Sequence, residues 1–378
     1  MKAWVVHDFN DMRLTEVPIP GPIPPGWILV RVLTVQPSIT ETLLFQGLPT
    51  YNLGLVRKTL DAGPFQLFGH EYSAEVIELG EGVEGLRPKM RVASRSVSSC
   101  GECWLCHHGR RDECQKGPLT GFNYPGCFAQ FAVLPADTVV PLPDSISDSD
   151  GAALQPLSDS VAGVAAADIK MGDVCLVIGQ GVMGLGSMQA ARAAGAMTVV
   201  TCDVKDRALQ LSRQLGADVV VDARQDDPVK AILELTHGRG ADVVIECAGG
   251  PKEQGLAGTA TLSQAAAAVR DGGVVVGSAL YGEGTFLPYA KFRHRSIRYV
   301  FPAPITNTLM AYVVSLVSSG RVRLDSTISV VLDGIERVPE AFELTSGKTA
   351  TTLISSAQVV IGKSALESEE RPLALGAG

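Results

Sequence analysis

Residues 174–184 read VCLVIGQGVMG. A short apolar run ends on Gly179-Gln180-Gly181-Val182-Met183-Gly184, which fits G-x-G-x-x-G between a strand and a helix. The glycines permit a tight turn, close approach of the backbone to a pyrophosphate, and close packing of helix on strand. A helix opening at Val182 and Met183 offers free N–H groups and positive partial charge to phosphates. The next strand-like run, TVVTCD, ends on Asp203, near the ~20-residue offset expected of a carboxylate that binds the ribose hydroxyls. Such a carboxylate accepts from a 2′-hydroxyl and repels a 2′-phosphate, which favours NAD over NADP. Lys205 and Arg207 lie close enough in sequence to offset that repulsion and leave NADP open.

Moving outward, strand-like and helical stretches alternate from about residue 165: VCLVIG, TVVTCD, DVVVD, DVVIECAG and GGVVVGS, with a helical pattern after each of the first four. This rhythm predicts an α/β Rossmann domain, a doubly wound parallel sheet with helices on both faces. The first third is different. WILVRVLTV (27–35), SAEVIELG (73–80) and FAQFAVLP (128–135), set among Pro and Gly, predict a mostly β domain. After residue 300 come a helical segment (309–318), a strand pair (327–332 and 352–361) and a tail of solvated character, SALESEERPLALGAG (364–378).

A chain of 378 residues exceeds one ordinary core, so two domains are expected. The net charge of −8, with no run of Lys and Arg, excludes nucleic acid as the expected partner. The start, MKAWVVHDFN, shows no secretory pattern, and the most apolar region (174–200) is interrupted by Gly, Gln and Arg. The expectation is a cytoplasmic protein with a small-molecule substrate and no membrane span.

Four of the eight cysteines, Cys100, Cys103, Cys106 and Cys114, form C-x2-C-x2-C-x7-C. Without a secretory signal, such a cluster predicts a metal site in preference to disulfides. Four thiolates close a tetrahedral shell around Zn²⁺ and leave no open position, so this zinc is structural. His107 and His108 read as loop residues outside a full shell. Cys127, Cys175, Cys202 and Cys247 are scattered, the last three in apolar strands, and read as core residues.

Taken together, these features resemble the medium-chain dehydrogenase/reductase superfamily, in its zinc-containing alcohol dehydrogenase branch. The segments FGHEYSAEVIELGEGVEGLRPKMRV (68–92), the four-cysteine lobe, ALQPLSDSVAGV (153–164), GQGVMGL (179–185) and GADVVIECAGG (240–250) fall in that family's order. The resemblance implies a GroES-like catalytic domain over residues 1–160 with the zinc lobe at about 95–118. It implies a Rossmann domain over 161–300 and a return to the catalytic domain over 301–378. It also implies hydride transfer between a nicotinamide and an alcohol or carbonyl, and a homodimer or homotetramer.

The same resemblance singles out VQPSITE (35–41). Where the zinc enzymes carry a cysteine ligand of a catalytic zinc, this chain has Gln36; Ser38 keeps the relay hydroxyl, and Glu41 stands where that relay often has a histidine. His70 and Glu71 retain the family's next ligands. The further ligand, a Glu before Pro-Leu, is Gln155 here. A neutral carboxamide is a poor replacement for thiolate or carboxylate on zinc. Asp159, one helical turn beyond Gln155, is a candidate stand-in.

Two enzymatic readings follow. In the first, the catalytic zinc is lost and Gln36, Ser38 and Gln155 polarise a carbonyl by hydrogen bonds, as in the family's zinc-free enone reductases. In the second, His70, Glu71 and Asp159 hold zinc in an unusual alcohol or polyol dehydrogenase. A nucleotide-binding protein without turnover is a third reading, since fold does not fix function. Arg298 sits where polyol dehydrogenases carry an Arg that faces substrate.

Overall fold

A computed structural model of the chain describes residues 1–250, 256–281, 285–347 and 353–363. The chain divides into two compact units. One comprises Met1–Gln155, Val330–Ser346 and the described residues from Ser356 onward. The other comprises Pro156–Ser329 with the described residues between Gly347 and Ser355.

The first unit opens with an antiparallel hairpin of β1 (Lys2–Asp8) and β2 (Asp11–Glu16). Next is β3 (Trp27–Gln36), buried along nearly its whole length. Two helices follow it, α1 (Ile39–Phe45) and α2 (Leu53–Asp61). Antiparallel to β3 runs β4 (Glu71–Leu79), in a register that pairs Gln36 with Glu71. Then come β5 (Arg91–Ser94), the one-turn helix α3 (Trp104–His107), β6 (Phe131–Pro135) and β7 (Val139–Pro141). The first unit's chain then runs through α4 (Asp148–Ala152) into α5 (Leu154–Ala167).

The second unit is a six-stranded parallel sheet. Its strands are β8 (Val174–Ile178), β9 (Thr198–Asp203), β10 (Val219–Asp222), β11 (Ala241–Glu246), β12 (Val269–Gly277) and β13 (Arg298–Val300). They lie in the order β10-β9-β8-β11-β12-β13, the doubly wound arrangement whose order reverses at β8. Both β8 and β11 are buried at every residue, which is why their sequences are apolar without alternation. The connecting helices are α6 (Val182–Ala193), α7 (Asp206–Gln214), α8 (Pro228–Leu235), α9 (Ala260–Ala268) and α10 (Tyr289–His294). A further helix, α11 (Asn307–Ser318), buries Met310, Val313 and Leu316.

The chain rejoins the first unit at Val330, not at residue 301 as expected from sequence. Residues 301–329 stay with the parallel sheet because they are tied to it. Arg323 N–H donates to Gln189 Oε1 of α6 at 2.9 Å, and the Arg323 guanidinium donates to the Gln214 carbonyl at 2.6 Å. The returning segments are β14 (Val331–Asp333), α12 (Val338–Ser346) and β15 (Gln358–Val360). The two strands are shorter than the runs 327–332 and 352–361 predicted, and residue 352 lies outside the described residues, as does the expected tail 364–378. Antiparallel pairing of β15 with β3 sets Val359 opposite Val35. The sheet order is β14-β15-β3-β4-β5-β7, with β6 also on β3. Beneath it Val32, Phe68, Tyr72, Phe128 and Phe342 form the core, each large side chain contributing about 1.5–3 kcal/mol. Among the described residues, no helix is long and apolar enough to cross a membrane.

Candidate active site

The nucleotide turn grows directly out of β8. Gly179 has φ +87°, and a Cβ there would stand 2.6 Å from Ala248 Cβ. A Cβ on Gly184 would stand 1.8 Å from the Gly179 oxygen, whereas one on Gly181 would meet nothing within 4 Å. Two of the glycines therefore permit packing of strand on helix. The third leaves open space at the start of α6, where no side chain caps the helix. That is a cradle for an anion, with the N–H groups of Val182 and Met183 at its base.

Asp203 is fixed across this turn. Its Oδ2 accepts from Gln180 N–H at 2.6 Å, and its Oδ1 accepts from Val204 and Lys205 N–H at 2.7 and 2.8 Å. A carboxylate has about four acceptor positions, so capacity remains for a ribose hydroxyl. The open cradle and the anchored carboxylate together fit a nicotinamide dinucleotide.

At the end of β11, Glu246 is fully buried. Its Oε1 accepts from Ala248 and Gly249 N–H at 2.8 and 2.7 Å, and its Oε2 accepts from Tyr281 O–H at 2.8 Å. Burial shifts Tyr281 upward, the hydroxyl bond with Thr261 opposes that shift, and the nearby Glu246 charge adds to it, so Tyr281 acts as a neutral donor. Burial likewise pushes Cys202 and Cys247 up to about 12 and raises Cys127 and Cys175. These four thiols are neutral, as scattered core cysteines should be.

In the first unit, the register of β3 on β4 brings Gln36 to Glu71. Gln36 Nε2–H donates to Glu71 Oε2 at 2.6 Å. Gln358, one residue before the Val359–Val35 pair, donates from Nε2 to Gln36 Oε1 at 2.8 Å and to the Ser149 carbonyl at 2.9 Å. All three side chains are buried. The side-chain oxygen of Gln36 thus already accepts one hydrogen bond.

Ser38 caps α1. Its Oγ accepts from Glu41 N–H while Glu41 Oε2 accepts from Ser38 N–H, both at 3.0 Å, a capping box. The other oxygen of Glu41 accepts from Gly69 N–H at 2.7 Å, from His70 N–H at 3.2 Å, and from His70 Nδ1 at 2.5 Å. Glu41 is completely buried. It is therefore neither a solvated acid nor a substitute for the relay histidine, because both of its oxygens are occupied. A carboxylate can only accept, so His70 donates to Glu41 through Nδ1.

Gln155 and Asp159 lie one turn apart on α5, Gln155 buried. Phe122 and Tyr124 are core residues, and Phe45 packs edge-on against Phe68 and Phe342. Arg298 does not fit the substrate-facing role that its sequence position implied. It begins β13 in register with Val274 and is exposed. It also lies close enough to Asp168, before the start of β8, to act on it electrostatically. Ligands of such sheets bind beyond the carboxyl ends of the strands, and Arg298 is on the opposite side.

The four cysteine sulfurs all lie within 4.8 Å of one another. Their close approaches are 3.6 Å for Cys103–Cys106, 3.8 Å for Cys103–Cys114, 3.9 Å for Cys100–Cys106 and 3.5 Å for Cys114–Cys100. A tetrahedron with Zn–S near 2.3 Å has edges of about 3.8 Å, so the shell fits zinc. Burial disfavours the Cys114 thiolate, but the N–H groups of Cys100 and Lys116 outweigh it and bring that thiol down to about 6. Burial and its neighbouring thiols push Cys106 up to about 11. His108 stacks on Trp104 at 4.1 Å on the exposed side of the lobe.

Comparison with known proteins agrees with this geometry. A pattern described as "Alcohol dehydrogenase GroES-like domain" matches residues 24–144, and one described as "Zinc-binding dehydrogenase" matches residues 182–303. An L-threonine 3-dehydrogenase of Pyrococcus horikoshii is 32% identical over 342 residues, covering 89% of this chain and 93% of its own. This chain is a medium-chain dehydrogenase/reductase of the zinc alcohol dehydrogenase-like branch. Among solved structures, this dehydrogenase is similar to the alcohol dehydrogenase TADH from Thermus sp. ATN1, with TM-score 0.80, 26% identity, and 96% and 100% of the two chains covered. A zinc-binding dehydrogenase from Sinorhizobium meliloti bound to NADP superposes with TM-score 0.79 at 25% identity, covering 96% and 99%. The dehydrogenase is thus an NAD(P)-dependent oxidoreductase whose fold and cofactor class were both legible in the sequence. Gln358 and Glu246 were not singled out there. Gln358 meets Gln36 across 322 residues of chain, and no local pattern marks such a pair.

Proposed function

We propose that this dehydrogenase uses NAD to move hydride between the nicotinamide and a carbonyl/alcohol pair or a conjugated enone, without a thiolate-held catalytic zinc. The observation that carries this reading is the closed set Gln358–Gln36–Glu71, in which an amide bonded at both ends stands where the zinc enzymes have a cysteine. NAD would be held by Gly179, Gly181, Gly184, the N–H groups of Val182 and Met183, Asp203 and Lys205; bound there, it donates or accepts the hydride. Ser38 and His70 are the proton-handling groups. The His70 ring is oriented through Nδ1 by Glu41, as a group that moves a proton to or from a substrate oxygen requires. Cys100, Cys103, Cys106 and Cys114 would hold one structural zinc.

Metal counting on the purified protein tests this. One zinc per chain is expected, with turnover indifferent to a chelator that leaves the lobe loaded. Two zincs with chelator-sensitive turnover would overturn it in favour of a zinc dehydrogenase using His70, Glu71 and Asp159. The orientation of His70 by a carboxylate, common among metal-ligating histidines, favours that second reading. The substrate panel should include alcohols, ketones, enones and, given the archaeal relatives, L-threonine.

A further inference from the structure

Just beyond Asp203 lies a second group of charges. Asp203 and Asp222 end the adjacent strands β9 and β10 and are register partners, and Ala223 N–H donates to the Asp203 carbonyl at 3.0 Å. Two residues past Asp222, Arg224 turns back onto it. Its Nε donates to Asp222 Oδ1 at 2.8 Å, and one terminal nitrogen donates to Asp222 Oδ2 at 2.7 Å and to Asp206 Oδ1 at 2.5 Å. Arg224 N–H and Gln225 Nε2 also donate to Asp222, each at 3.0 Å. Asp206 is the first residue of α7 and largely exposed; the Asp222 side chain is only 14% exposed. The bond to the Arg224 guanidinium is the main reason that Asp222 falls to about 2.

An arginine at this strand end is a natural partner for a phosphate on the 2′ position of the ribose. Here its planar fork is spent on two carboxylates. Resting on the NAD reading above, we infer that Asp222, assisted by Asp206, sequesters Arg224 and so acts with Asp203 to exclude NADP. Asp203 repels the 2′-phosphate, and the Asp222 pair removes one cation, beside Lys205 and Arg207, that would otherwise attract it. Arg224 is then a specificity-determining residue through what it is prevented from doing.

Calorimetric titration of the full-length protein with NADH and NADPH tests this without a substrate. The wild type should bind NADH more tightly. Asp222→Asn should tighten NADPH binding about fivefold, the scale of one partly exposed ion pair, and leave NADH binding nearly unchanged. Asp206→Ala, at an exposed position that the fold does not need, should give a smaller gain of the same sign. Adding Arg224→Ala to either variant should abolish the gain. The inference is overturned if both single variants leave NADPH binding unchanged, or if the gain survives loss of Arg224. A wild type that binds NADPH as tightly as NADH would instead overturn the NAD reading itself.

Discussion

Glu41 shows how much one buried carboxylate can organise. It accepts three backbone or cap N–H groups and the His70 ring from a position with no solvent exposure. Glu41→Gln keeps the volume but replaces one acceptor oxygen with a donor facing other donors. It should lower the unfolding free energy by about 3 kcal/mol, read as a reduced midpoint in urea with unchanged m-value. It should also release the His70 ring and depress turnover more than the stability loss explains. From sequence, Gln36 and Gln155 stood out because both sit in short motifs that resemble the family's ligand segments. The role of Glu41 did not. A carboxylate three residues after Ser38 marks a capping box, but nothing local reveals that its second oxygen reaches Gly69 and His70, 28 and 29 residues away.

Among the elements, the junction of β8 with α6 separates two jobs that one motif hides. Gly184 and Gly181 look equivalent in sequence, yet a Cβ on the first collides with backbone and a Cβ on the second meets open space. Gly184→Ala should therefore lower both Tm and NAD affinity. Gly181→Ala should leave Tm within a degree or two and still weaken NAD binding at least about tenfold, because a methyl group would occupy the place of the pyrophosphate. Thermal melts with and without cofactor distinguish the two. The strands of this sheet were legible because burial on both faces leaves continuous apolar runs. The three-residue β14 and β15 were poorly legible, since strands so short carry too few side chains for an alternating pattern.

For the whole molecule, the sequence texture changes at about residue 165 and the resemblance implied bounds at 160 and 301, whereas the compact units divide at Pro156 and at Val330. Residues 301–329 form a helix and loop whose sequence suits either unit, and bonds to α5, α6 and α7 tie them to the second unit. The pairing of β15 with β3 joins residues near 359 to residues near 35. During synthesis, the parallel sheet therefore has all its strands outside the ribosome while the first unit still lacks two of its own. The older part of the chain must wait for residues 330–363 to be made, its central strand β3 already paired with β4 and, over Trp27–Arg31, with β6, but still without a partner at Thr34 and Val35. A fragment spanning residues 156–329 should fold by itself and show a cooperative melt. A fragment ending at residue 329 should carry a folded second unit attached to an aggregation-prone first one. Limited proteolysis of the two fragments would check this, and a protease-resistant first unit in the longer fragment would count against it. For this dehydrogenase, β15, the last strand among the described residues, decides when the first unit's sheet is complete.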